Sequence, residues 1–166
     1  MINAVQILSE ELLQLQNTKG KPAQVGYDLS LSKVNKVGGS IGKVLVAKTI
    51  LNTHTPIKTL QLDGSTGWLL YPGVYDFILN EGCNIPLNRT GFIKQRSSLL
   101  RNGVLIQSSV FDPGFKTDQM GTYGVVFETI FIEENARIAQ MYFHESTPVE
   151  EEHAYNGQFM NDKQRQ

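Results

Sequence analysis

RSSLLRNGVLIQSSVFDPGF, residues 96–115, joins a guanidinium and hydroxyl cluster to an alternating apolar run and then to a turn that carries one acid. The guanidinium forks of Arg96 and Arg101 and the hydroxyls of Ser97 and Ser98 supply several directed donors without bulk, which suits phosphate oxygens. Asp112 stands before Pro113-Gly114, so its carboxylate is held in a defined direction by a turn. Together they make a site for an anionic substrate whose reaction needs a base. The same residues also suit a surface turn with a helix cap.

Outward from this stretch, most of the text is short strands. Residues 44–51, 57–62, 67–71, 74–79 and 92–95 are rich in β-branched and aromatic types, separated by breakers such as Asp63-Gly64 and Pro72-Gly73. Residues 25–31 alternate as a half-buried strand does, with Asp28 in the middle. Asp28 either bonds backbone amides at a strand start or belongs to a site. Residues 123–132 form a further expected strand, and residues 137–143 the last. Glu128 is the odd residue of residues 123–132: a carboxylate among apolar neighbours is solvent-facing, paired or functional. Strands recurring without intervening helices indicate an all-β barrel or sandwich. Only the N-terminus reads otherwise. Asn3 can cap a helix over residues 1–20, with Val5, Leu8, Leu12 and Leu15 on one face.

At 166 residues the chain is expected to be one domain with a real core. A net charge of −1 gives no basic field for nucleic acid, so any phosphate site must come from local groups such as Lys94, Arg96 and Arg101. No apolar run reaches the roughly 18 residues of a membrane span, and the N-terminal residues lack the basic-then-apolar order expected of a signal peptide. The single Cys83 fits a reducing compartment, and the expected location is the cytoplasm. One cysteine and three scattered histidines (His54, His144, His153) cannot assemble the zinc site of zinc-dependent nucleobase deaminases. The glycine-rich residues 37–42 lack a Gly-Lys-Ser ending, because Lys43 is followed by Val44, so they are no P-loop.

RSSLLRNG resembles the RSSLxRxG signature of the dCTP deaminase and dUTPase superfamily, and VFDPGF resembles the acid-bearing hairpin that follows it there. VGYDLSL (25–31), LLYPGVYDFILNE (69–81) and ARIAQMYF (136–143) lie in the family's order, and AYNGQF (154–159) is similar to the YxGQ tail of the deaminase branch. The resemblance implies a mostly β, distorted jelly-roll-like barrel that assembles as a homotrimer and binds dCTP or dUTP between subunits, with dTTP as a candidate inhibitor. It implies Mg2+ carried with the triphosphate and no zinc, and a flexible tail over residues 144–166 that covers the active site.

Site roles follow from the resemblance, residue by residue. Glu128, Arg101 and Ser97 match the base and water-holding groups of a deaminase, which delivers hydroxide to C4 of cytosine and releases ammonia. Asp112 matches the base of a dUTPase, in which water attacks the α-phosphorus and pyrophosphate leaves. Arg96, Ser98, Gln140, Tyr155, Gln158 and Asp28 match substrate-binding positions, and Phe115 stands where dUTPases place a Tyr under deoxyribose. RSSLxR, Glu128 and the YxGQ-like tail favour deamination of dCTP to dUTP, alone or followed by dUTP hydrolysis; a dUTPase and a non-catalytic nucleotide-sensing trimer are the alternatives. The family's His-Arg pair before the acid is replaced by Ser109-Val110, and the loop after Phe115 is longer, so the base-reading part of the pocket departs from the deaminase pattern.

Overall fold

Strand-forming alternation in this sequence is converted into one long, strongly bent sheet. The computed structural model describes residues 12–160. Its main strands are β1 (Tyr27–Val37), β2 (Ser65–Leu70), β3 (Gly73–Leu79), β4 (Gly82–Asn84), β5 (Arg89–Gln95), β6 (Val104–Gln107), β7 (Gly121–Val126), β8 (Ile130–Glu133) and β9 (Arg137–Glu145). One short helix, α1 (Ser97–Arg101), lies between β5 and β6. The central order is β5–β9–β1–β3–β7–β6, and every pair in it is antiparallel. Two smaller sheets flank it: Leu13–Gln14 with β4 and Lys116–Thr117, and β8 with β2 and Leu60–Leu62.

The two ends of the central sheet, β5 and β6, are joined through a side chain. Gln95 Nε2 donates to the Val104 carbonyl at 2.9 Å, and Gln95 Oε1 accepts the Ile106 N–H at 2.7 Å. A primary amide offers the same donor and acceptor as a peptide unit, so it can stand in for the missing rung of the ladder. Gly91 and Phe111 add a pair of backbone bonds at 2.9 and 3.0 Å along the same seam. The expected mostly β barrel is therefore nearly closed. Leu29 and Leu31 of β1, Phe77 and Leu79 of β3, and Ile138 and Met141 of β9 are wholly buried and fill its interior.

Several expected elements differ. Residues 1–11 lie outside the described residues, so most of the expected N-terminal helix is untested. From Leu13 the chain is not helical: Leu13–Gln14 pairs with Gly82 and Cys83, because an extended partner edge outweighs local helical spacing. Residues 44–51 are not one strand; Lys43–Val44 and Thr49–Ile50 form a small hairpin on which Val44 is 89% exposed. The run 123–132 is broken, since β7 ends at Val126 and β8 begins at Ile130. Glu128 lies in the connection, not inside a strand. Among the described residues no helix is long and apolar enough to cross a membrane.

Buried polar groups fasten the N-terminal segment. Glu81 is fully buried; Oε1 accepts from the hydroxyls of Thr18 and Ser30, each at 2.6 Å, and Oε2 accepts the Ser30 N–H at 3.0 Å. Removing that acceptor would strand two buried donors of Ser30 and the half-buried Thr18 hydroxyl. Glu81→Ala is expected to lower unfolding free energy by about 3 kcal/mol in urea titrations, and a loss below about 0.5 kcal/mol would show the network is dispensable. Cys83 is a second buried group: burial pushes its thiol up to about 12, against a smaller opposing effect of the Thr117 backbone N–H. The unfolded chain therefore releases this proton first, so the thiol's contribution to stability is intact below about pH 8.5 and lost as pH rises toward the folded value. Cys83 is expected to resist thiol reagents at pH 8 until the protein is denatured, which a colorimetric thiol assay with and without urea will read.

Candidate functional site

Asp28 is the acid around which the cationic part of the site is built. It lies in β1, opposite Gln140 of β9, and is only 6% exposed. A carboxylate so far out of water needs partners. Arg137 Nη1 lies 3.4 Å and Arg96 Nε 3.8 Å from Oδ2, and Gln140 Nε2 donates to Oδ1 at 3.4 Å. Arg96 is also tied by its backbone, whose N–H donates to the Ile138 carbonyl at 2.9 Å. Asp28, Arg96 and Gln140 of this cluster line a cavity of about 630 Å³, together with Lys21, Lys94 and Ser97. Ser98 and Arg101 of α1 are exposed beside it in sequence. Arg137, which holds Asp28, had no role in the sequence reading; its place in the strand ARIAQMYF gave no sign that it faces Asp28.

Asp112 belongs to a different cavity, of about 610 Å³. Gly114 has φ +87°, as the third residue of a type II turn requires, and the Phe115 N–H closes the turn on the Asp112 carbonyl at 3.0 Å. The Asp112 carboxylate is thereby presented at the rim. Phe115 packs edge-on against Phe111 and Tyr155, with ring centroids 5.6 and 5.2 Å away, and all three line the cavity. The tail is docked here. The Tyr155 N–H donates to the Pro113 carbonyl at 2.9 Å, and the Gln158 amide both accepts the Thr49 N–H at 3.2 Å and donates to the Thr49 carbonyl at 3.3 Å. Gln158 is thus engaged by the 43–50 hairpin, a contact with no sequence signal.

Glu128 is exposed in the bend between β7 and β8 and lines neither cavity. It sits against the end of α1: a Cβ on Gly103, whose φ is +74°, would come within 3.1 Å of Glu128 Cβ. The Phe127 N–H bonds the Gly103 carbonyl at 2.8 Å and fixes that neighbourhood. The chain thus keeps Arg96 and Ser97 in one cavity and the turn acid Asp112 in another, with no lining residue in common.

Residues 3–146 match the dCTP deaminase-like family. The chain belongs to the dCTP deaminase and dUTPase superfamily. Among curated members, the probable deoxyuridine 5'-triphosphate nucleotidohydrolase of Methanosarcina barkeri is 30% identical over 168 residues, covering 98% of this chain and 92% of that protein. Two solved members share the superfamily fold. The 2'-deoxycytidine 5'-triphosphate deaminase of Agrobacterium tumefaciens aligns with a TM-score of 0.56 at 16% identity, over 82% of this chain and 45% of that one. This chain therefore spans about half the length of that deaminase. The EIAV dUTPase aligns with a TM-score of 0.52 at 15% identity, over 84% of this chain and 98% of that one.

The docked tail gives a test that needs no substrate. Gln158→Ala removes both bonds to Thr49, each worth about 1 kcal/mol. Hydrogen exchange and limited proteolysis over residues 154–160 are expected to speed up several-fold, while the β-sheet core is unchanged. Unaltered exchange in the tail would show that Phe115 and Pro113 alone retain it.

Proposed function

We propose that this superfamily member hydrolyses dUTP to dUMP and pyrophosphate. The observation that carries the reading is the placement of Asp112: a turn-fixed carboxylate at the edge of a largely apolar cavity that is sized for a nucleoside and walled in part by Tyr155 and Phe159 of the tail. The name of the curated relative, which matches over nearly the whole chain, supports the same chemistry. Deamination of dCTP, the reading that the sequence favoured first, has less support, because Glu128 is exposed in a bend that lines neither cavity.

In this mechanism Phe115 lies under the deoxyribose and the base enters the 610 Å³ cavity. Asp112 takes the proton of a water molecule as its oxygen attacks the α-phosphorus, and the bond from that phosphorus to the bridging oxygen of pyrophosphate breaks. Arg96, Ser97, Ser98 and Arg101 bind the phosphate oxygens, with Gln140 and Asp28 setting the position of Arg96. Tyr155 and Gln158 close over the nucleotide. The substrate is the Mg2+ complex of dUTP. The ion comes with the triphosphate, whose oxygens would hold it. Because the two cavities are disjoint in one protomer, a homotrimer would set the Asp112 cavity of one copy against the arginine–serine cluster of the next.

A second reading keeps dCTP deamination. The match to a dCTP deaminase-like family and the packing of Glu128 beside Gly103, just after the helix that carries Ser97 and Arg101, favour it. Incubation with dUTP and dCTP separately, with Mg2+, followed by chromatography, decides between the two. Pyrophosphate and dUMP from dUTP are expected, and Asp112→Asn should lower their release by about 100-fold or more, while Glu128→Gln leaves it intact. Ammonia from dCTP that disappears in Glu128→Gln would establish the deaminase instead. Added dTTP tests inhibition in the same assay.

A further inference from the structure

His54 and Tyr123 form a pair that the proposed reaction leaves unused. His54 begins the short strand His54–Pro56 on the end of β1, and Tyr123 lies in β7. His54 Nδ1 is 2.8 Å from the Asn52 carbonyl oxygen, and a carbonyl can only accept, so Nδ1 carries the proton. In the neutral ring Nε2 then accepts from the Tyr123 hydroxyl, 3.0 Å away. The two rings meet edge-on at 5.7 Å and 84°. A tyrosine held both at its hydroxyl and along its ring has little freedom left to swing.

The backbone under this ring is equally fixed. Tyr123 is paired with Asp76 of β3, which is paired with Asn35 of β1, and Asn35 Nδ2 donates to Asp76 Oδ2 at 3.2 Å. Tyr123 is also a wall of the cavity that holds Asp112 and Phe115. On the neighbouring wall, Ser109 and Val110 bring no charged group to a base.

We infer that Tyr123 is a specificity-determining wall for the pyrimidine base and that His54 is its positioning residue. The inference rests on the proposed reading of this cavity as the nucleotide's base site. With its proton committed to His54, the phenol oxygen can only accept, so it favours a ring edge bearing N–H, such as N3–H of uracil. A ring locked in place also discriminates by shape, because it cannot move aside for a bulkier base.

Steady-state kinetics with dUTP, and with dCTP and dTTP as competitors, test this on the full chain. Tyr123→Phe is expected to raise KM for dUTP about tenfold, the loss of one hydrogen bond, with kcat within about twofold, and to narrow the preference for dUTP. His54→Ala should do the same, the double variant should be no worse than either single one, and His54→Gln, whose amide can accept the phenol proton, should recover part of the effect. Wild-type KM and selectivity in Tyr123→Phe and His54→Ala, or a fall in kcat alone, overturns the inference. Asp112→Asn in the same series separates the two ideas. Its inactivity alongside unaffected Tyr123 and His54 variants leaves the hydrolase standing without this pair, whereas hydrolysis that survives Asp112→Asn removes the hydrolase reading itself.

Discussion

The seam at Gln95 is the constraint on which the molecule depends. A six-strand path that bends until its first and last strands meet must satisfy the backbone groups along both edges, or leave them unpaired. Here one amide side chain supplies the donor and the acceptor that a further strand would have given, and Gly91 and Phe111 complete the seam. The residue after Gln95 is Arg96, and the segment after Phe111 is the Asp112–Phe115 turn. Closing the barrel and presenting the functional groups are therefore one event. A sheet that failed to close would release both the cation cluster and the turn acid.

Electrostatics then determines what the Arg96 side can do. Asp28 is withdrawn from water but shared between two guanidinium groups and an amide, so the cluster keeps a net positive charge at the cavity floor. A cavity of that kind, with Lys21 and Lys94 at its wall, suits oxygens of a polyphosphate. The aromatic cavity has the complementary character. Phe111, Phe115 and Tyr155 give it apolar area, and Asp112 brings the acid to its edge. In the proposed mechanism phosphate recognition and base recognition are separated on the surface of a single chain, which is the physical motive for the proposed trimer.

Much of this was legible from residue order. The strand texture with Gly and Pro breakers indicates the barrel, and RSSLLRNG, VFDPGF and AYNGQF carry the superfamily resemblance. Where expectation and structure part, the reason is a partner distant in the chain. Leu13–Gln14 is extended because β4 offers an edge, residues 44–51 fold back because the barrel gives them no interior face, and the strand through Glu128 breaks because Phe127 turns to bond Gly103. Local periodicity carries no record of such pairings. Arg137, Gln95 and the pairing of His54 with Tyr123 carry no sequence signal for a related reason: each acts through a side chain that reaches across strands.

By itself, then, the sequence determined the fold class and the superfamily, because these depend on residue type and short-range order. Only the tertiary structure decided that Asp28 is clamped between Arg96 and Arg137, that Asp112 and the arginine–serine cluster occupy separate cavities, that Glu128 stands in solvent, and that Gln158 is tied to Thr49. Those facts depend on which strands lie side by side and in which register, and a shift of one residue in register turns every side chain of a strand to the opposite face.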